Sequence, residues 1–238
     1  MSDRPLILIA DDESKIRRLL ASNLEFEGFD VVCAGDGEQA LEVFEKAVEK
    51  PEAIVLDIMM PGVDGLEVLK RIRKTSSVPV VLLSAKDEKP TVLEGFREGA
   101  DDFVPKPFYM EELVARLRAV LRRSRHEAER TEICELVNGS LRINPVKCQC
   151  WVNENPVKLT STEFKLLLEM MKRPGEVLTH ERLLRLVWGE EYIGEVQYLR
   201  VAFTRIRRKL EEAGLESGVI VAYSSVGYIL ADLRPGAE

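Results

Sequence analysis

The chain has 238 residues, 45% of them hydrophobic, 32% charged and only 6% aromatic, with a formal net charge of −7. That length suits two domains of about 100–150 residues, each able to bury its own core, and no apolar run approaches the ~20 residues that cross a bilayer. The acidic balance excludes a protein that coats nucleic acid indiscriminately; with no basic, apolar leader, the expected location is the cytoplasm, away from membranes.

From the N-terminus, apolar runs alternate with amphipathic ones. LILIA (6–10), DVVC (30–33), AIVLD (53–57), VPVVLLS (78–84) and DFV (102–104) are β-branched and aliphatic, as strands covered on both faces should be. Between them lie helical patterns: Ile16, Leu19, Leu20 and Leu24 in the first, Ala40, Leu41, Phe44 and Val48 in the second, then 65–73, 88–98 and 109–123. Five strands alternating with five helices predict an α/β, doubly wound, five-stranded parallel sheet.

Residues 122–130, RRSRHEAER, hold no apolar side chain larger than alanine and read as a linker, placed at 124–130, or as a fraying extension of the fifth helix. Beyond it, ICELVNGSLRIN and KCQCWVNENPVKLT alternate around N-G and N-E-N turn signals, which predicts a small antiparallel sheet. Helical patterns follow at 162–172, after the cap candidates Thr160 and Ser161, at 180–188 and at 196–212. GVIVAYSSVGYILAD closes the chain as two apolar runs around a short turn. Sheet, three helices and hairpin describe a smaller α+β winged helix-turn-helix. The expected domains are therefore 1–123 and 131–238. The four cysteines, Cys33, Cys134, Cys148 and Cys150, form no C-x-x-C; reduced thiols are expected, and Cys148 with Cys150 on one strand face falls short of a zinc ligand set.

Asp11 and Asp12 end the first strand and Asp57 ends the third. In the 2-1-3-4-5 order of flavodoxin-like sheets these strands are neighbours at the switch point, so three carboxylates converge. One aspartate could merely cap the first helix. A cluster of three repels itself unless a cation sits in it, and an all-oxygen site suits Mg²⁺ better than zinc. Ser84 closes the fourth strand and Lys106 follows the fifth. Three acids, a hydroxyl and an ammonium on one edge make a phosphoryl site.

These residues resemble response-regulator receiver domains: Asp11-Asp12, IVLDIMMPGVDG (54–65), LLSA (82–85) and GADDFVPKPF (99–108) stand in the expected order across residues 5–123. The resemblance implies that Asp57 accepts a phosphoryl group from a sensor histidine kinase. Asp12, Asp57 and the carbonyl of Met59 would hold Mg²⁺, Asp11 acting mainly through water, while Lys106 and Ser84 take phosphoryl oxygens. It also implies a cis Lys106–Pro107 peptide. Phe103 stands at the switch position, where the family most often has tyrosine, so activation should work by packing. A phosphorylation-promoted homodimer through the fourth helix, fifth strand and fifth helix is expected, with Lys89, Asp101, Asp102, Glu112, Arg116 and Arg118 as candidate interface charges.

Residues 131–238 hold 14 basic side chains, five of them between Arg200 and Lys209. In VQYLRVAFTRIRRKLEE (196–212), Leu199, Phe203, Ile206 and Leu210 line one face, leaving Val201, Thr204, Arg205 and Arg208 opposite and Arg200 and Arg207 on the flanks. With LTSTEFKLLLEM, RPGEVLTHERLLRLVWG and YLRVAFTRIRRKLE, residues 131–234 resemble the OmpR/PhoB-type effector domain, the Y-L-R opening being nearest the KdpE branch. The resemblance implies double-stranded promoter DNA read as direct repeats about 10–11 base pairs apart, with RNA polymerase as a further partner. Arg200, Thr204, Arg205, Arg207 and Arg208 would face DNA, and Tyr228 a phosphate; Trp188 reads as core. The family wing ends R-G-V-G-Y-R, but here it is Ser224-Ser225-Val226-Gly227-Tyr228-Ile229, without those arginines. Two other readings stay open: a winged helix that binds a protein, and an aspartate-nucleophile phosphatase. The latter places a second acid where Met59 stands.

Overall fold

Five strands, β1 (Leu6–Ala10), β2 (Asp30–Ala34), β3 (Ala53–Asp57), β4 (Val80–Ala85) and β5 (Asp102–Lys106), pair in parallel in the order β2-β1-β3-β4-β5. The computed structural model describes residues 4–85, 89–125 and 135–234, in two units, Met1–Leu121 and Arg122–Glu238. Helices α1 (Ser14–Phe26), α2 (Gly37–Lys46), α3 (Gly65–Arg73), α4 (Lys89–Glu98) and α5 (Met110–Arg125) connect and follow the strands.

Side chains alternate across a strand, and the sheet therefore has two cores. Ile7, Ile9, Val55, Val81 and Leu83 pack with Leu20 and Leu24 of α1 and Leu113 and Leu117 of α5. Their strand neighbours Leu8, Ala10, Ile54, Leu56 and Leu82 pack with Phe44 of α2 and Val68, Leu69 and Ile72 of α3. Each fully buried Leu or Ile contributes roughly 1.5–3 kcal/mol, enough to fix the strand ends. Two residues read as helix core do not serve there. Leu19 is exposed because Ile16, Leu20 and Leu24, four apart, already define the buried stripe of α1. Val48 is exposed because Ala47 leaves helical geometry (φ −58°, ψ 127°) and ends α2 before it.

In the second unit, β6 (Leu136–Asn138), β7 (Leu141–Asn144), β8 (Gln149–Val152) and β9 (Asn155–Pro156) form an antiparallel meander. Gly139 and Asn153 take positive φ in its turns. Cys148 also has positive φ and precedes β8, so it does not share a strand face with Cys150. Cys134 and linker residues 126–130 lie outside the described residues.

Three helices follow, α6 (Ser161–Met171), α7 (His180–Val187) and α8 (Val196–Glu212), with a three-stranded sheet of β10 (Val177–Thr179), β11 (Ile220–Tyr223) and β12 (Gly227–Leu230) in the order β10-β12-β11. Thr160 caps α6 by a capping box, accepting from Glu163 N while the Glu163 carboxylate accepts from Thr160 N. That arrangement satisfies two donors that a helix start otherwise leaves unpaired. Tyr198, Leu199, Phe203, Ile206 and Leu210 bury one face of α8, and Trp188 is buried beside Tyr198, ring centroids 6.4 Å apart.

Candidate functional site

The carboxyl ends of β1, β3 and β5 bring Asp11, Asp12, Asp57 and Lys106 together. Carboxylate oxygens of the three aspartates lie within 4.8 Å of one another, Asp11 and Asp57 buried and Asp12 exposed. Lys106 Nζ donates to Asp11 Oδ2 and to Asp57 Oδ2, each at 2.8 Å. Asp11 Oδ1 accepts from Glu13 N at 2.8 Å, so protein donors occupy both its oxygens. Neither Asp11 nor Asp12 is the N-cap of α1, which is Glu13 without a side-chain cap. Ser84 is buried at the end of β4, on the strand beside Asp57, whose register partner is Leu83. Lys106–Pro107 is cis.

Burial pushes the Asp57 carboxyl above its ordinary value, against the opposing pull of Lys106. Burial would lower Lys106, but the hydrogen bonds it donates to Asp11 and Asp57 outweigh it and raise the ammonium pKa. Three acids against one lysine leave the pocket negative. Met59 N lies 3.4 Å from Asp57 Oδ1, and the Met59 side chain is exposed. Phe103 is half-buried, edge-on to Phe96 with centroids 6.1 Å apart.

Two supports of this pocket carry little signal in the sequence. A Cβ at Gly65 would stand 2.1 Å from the Asp57 carbonyl oxygen, so only glycine lets α3 start against the β3 end; the D-G step at 64–65 is its local signal. Arg17 Nη1 donates to the Asp11 carbonyl at 2.6 Å.

On α8, Arg200, Thr204 and Arg208 form an exposed stripe at i, i+4 and i+8. Thr204 Oγ1 donates to the Arg200 carbonyl at 2.8 Å. Arg205 does not join the stripe: its Nε donates to Glu163 Oε1 at 2.7 Å, because the helix turns it towards α6. Arg207 Nε donates to Ile220 O at 2.9 Å and its guanidinium lies over the Tyr228 ring, tying α8 to β11 and β12. Tyr228 is 3% exposed and stacked on Phe203 with centroids 4.0 Å apart. It is a core residue and is not placed to touch a phosphate; burial accordingly raises its hydroxyl pKa. Tyr223 and Val226 are exposed at the turn between β11 and β12, where His180 N donates to Val226 O at 2.9 Å.

The charges assigned to a dimer surface are largely committed within the first unit. Asp101 is buried and accepts from Arg73 Nη2 and Val80 N, each at 3.0 Å, which removes it from any outer face. Asp102 is buried against Phe103 N and Arg116. Arg116 also pairs with Glu112 at 2.8 Å, and Arg118 pairs with Glu27, just past the end of α1, at 2.6 Å. The Lys89 side chain lies outside the described residues.

A family model described as response regulator receiver domain matches residues 7–118, and one described as transcriptional regulatory protein, C terminal, matches residues 154–230. The response regulator MprA of Mycolicibacterium vanbaalenii is 39% identical over 230 residues, covering 96% of this chain and 98% of its own. The alkaline phosphatase synthesis transcriptional regulatory protein PhoP of Bacillus subtilis is 39% identical over 233 residues, covering 95% and 96%. Among solved structures, a mutant of RitR aligns with a TM-score of 0.73 and 26% identity over 96% of this chain and 99% of its own.

Proposed function

Because the chain belongs to the OmpR/PhoB-type family of response regulators, we propose that its switch is Asp57, which takes a phosphoryl group from a phosphohistidine of a sensor kinase. The protein is a two-component regulator of transcription, not an enzyme. The observation that carries the assignment is the Lys106 ammonium 2.8 Å from the carboxylates of both Asp11 and Asp57, in a pocket of three acids.

A carboxylate oxygen of Asp57 attacks phosphorus, the new P–O bond forms as the P–N bond to imidazole breaks, and an acyl phosphate results. Lys106 then pairs with one phosphoryl oxygen, exchanging a carboxylate for a stronger anion, and the Ser84 hydroxyl donates to another. The donors at the mouth are all oxygen and carry more negative charge than Lys106 balances, which fits Mg²⁺. Asp12, Asp57 and the Met59 carbonyl would hold the ion directly, and Asp11, both of whose oxygens already accept from protein donors, through water. Bound there, Mg²⁺ neutralises charge on the carboxylate and the phosphoryl oxygens.

Residues 1–123 are the phosphoacceptor domain and 131–238 the DNA-binding domain. The stripe Arg200, Thr204 and Arg208 faces the major groove, where guanidinium groups bond guanine edges or phosphates. Phosphorylation favours a homodimer through α4, β5 and α5 that reads direct repeats about one DNA turn apart and engages RNA polymerase. Among the described residues no helix is long and apolar enough to cross a membrane, and the proposed site of action is the cytoplasm. The test is sedimentation and footprinting with and without beryllium fluoride, a phosphoryl mimic. A doubled mass with protected paired half-sites is expected; an unchanged mass and footprint would defeat the switch.

A further inference from the structure

Glu163 is 2% exposed and holds two cations of α8 at once. Oε1 accepts from Arg205 Nε at 2.7 Å, and Oε2 accepts from Lys209 Nζ at 2.5 Å and from Thr160 N at 2.8 Å. Arg205 and Lys209 sit one turn apart, their side chains only 13% and 19% exposed. In sequence they interleave with Thr204 and Arg208 of the exposed stripe. Swung outward, both long side chains would reach the surface that Arg200, Thr204 and Arg208 present.

We propose that Glu163 is a specificity-determining residue for DNA binding, which withdraws Arg205 and Lys209 from the phosphate backbone and leaves Arg200, Thr204 and Arg208 to make the contact. This rests on the reading of α8 as the DNA-facing helix. Phosphate contacts strengthen binding to every sequence alike, whereas base contacts discriminate. Two further cations on this helix would therefore raise affinity for wrong sequences and dilute the readout. A buried carboxylate competes well for them because its field is little screened. One cation and the Thr160 N–H would neutralise and cap Glu163; the second cation goes beyond what stapling α6 to α8 requires.

The experiment uses the full chain with beryllium fluoride and two duplexes, one of mixed sequence and one selected from a random library, across a range of salt. Glu163→Gln keeps the side-chain size and an acceptor for Thr160 N but loses the charge. Its binding to the mixed duplex is expected to steepen in log–log salt slope by about 0.9 for each cation released, an extra gain of about 3-fold per cation between about 200 and 50 mM salt. The preference for the selected duplex falls by a similar factor. In the unaltered background Arg205→Gln leaves the slope as it was, while Arg200→Gln makes it shallower by about 0.9. A Glu163→Gln protein with weaker binding to both duplexes and an unchanged slope would overturn the proposal in favour of a structural role. So would an Arg205→Gln slope as shallow as that of Arg200→Gln, a comparison that decides even if Glu163→Gln fails to fold. If Arg200→Gln changes nothing, α8 is not the DNA helix and both readings fail together.

Discussion

Each unit buries a cluster of charges around carboxylate, and the two are compensated in opposite ways. In the receiver, Asp11 and Asp57 are buried beside Asp12 with Lys106 between them, three acids to one ammonium. In the effector, Glu163 faces Arg205 and Lys209, one acid to two cations. Removing a charge from water costs several kcal/mol unless partners replace the lost solvation. The effector supplies those partners from its own chain and gains a fixed α6–α8 geometry. The receiver leaves negative charge unmatched at a strand edge, which is the condition a cation and then a phosphoryl group would relieve. Asp101 with Arg73, and Asp102 with Arg116, follow the effector's pattern inside the receiver. Burial of charge therefore does not mark a site; burial without enough partners does.

The comparison is broken most severely at Asp57. Asp57→Asn removes the nucleophile and one of the uncompensated charges, and is expected to abolish Mg²⁺-dependent labelling by a small phosphodonor, read on phosphate-affinity gels. Asp12→Ala or chelation of the metal should give the same loss. Because a buried charge disappears, the melting temperature of Asp57→Asn should hold or rise; retained labelling would remove Asp57 from its role.

The matching cut in the effector acts on stability instead. Glu163→Ala frees both cations to turn outward but leaves Thr160 N and the α6–α8 contact without their carboxylate, and should cost about 1.5–3 kcal/mol in calorimetry, the usual worth of hydrogen bonds to a charged group. Burial alone would raise the Glu163 carboxyl, but Lys209 and Arg205 outweigh it and hold the pKa below its ordinary 4.5. A depressed folded pKa means that the stabilisation is complete above the unfolded value and fades as pH falls through the folded one. The gap between the melting temperatures of the unaltered protein and of Glu163→Gln should therefore begin to close below about pH 4.5, near the unfolded glutamate pKa, and vanish only below the depressed folded pKa. A constant gap down to acid pH would show that the ion pairs contribute nothing.

How far these features can be read from sequence follows from how local their causes are. The strands are legible because both faces are buried and the runs are almost wholly aliphatic, and Asp11, Asp12 and Asp57 stand out as acids closing such runs. Asp101 looks like a surface acid because its partner Arg73 is 28 positions away and nothing adjacent announces it. Arg205 lies 42 positions from Glu163; helical periodicity places it opposite the core stripe but does not show that α6 supplies a carboxylate there. The T-S-T-E run at 160–163 did carry a local signal, the capping box, yet that signal explains one bond of Glu163 and not its two cations. Tyr228 looks like a wing contact because its place in β12 does not reveal the Phe203 ring that covers it.

Gly65→Ala offers an intermediate test, acting on geometry with every charge retained. Its Cβ would fall 2.1 Å from the Asp57 carbonyl oxygen, so α3 or the β3 end must shift. Overpacking of this kind costs about 1–3 kcal/mol, and displacement of Asp57 should slow its labelling on the order of tenfold. Wild-type labelling kinetics would show that the strand end tolerates movement and that unmatched charge alone makes the site.

The smallest expected effect separates the wing from the core. Tyr228→Phe removes only a hydroxyl from a ring packed on Phe203 and His180, and the stacking that holds the ring is kept, so stability should change by less than about 1 kcal/mol. DNA affinity and its salt slope should not move, because the ring faces inward and the wing turn at 224–226 carries no cation. Tyr228→Ala, which empties the stacking site, should cost about 3–5 kcal/mol and weaken DNA binding only through unfolding. A weakened affinity in Tyr228→Phe with an unchanged melting temperature would place the hydroxyl on a phosphate after all. The wing would then belong with the receiver pocket, as a group held in readiness for a ligand, and not with the self-compensated Glu163 cluster.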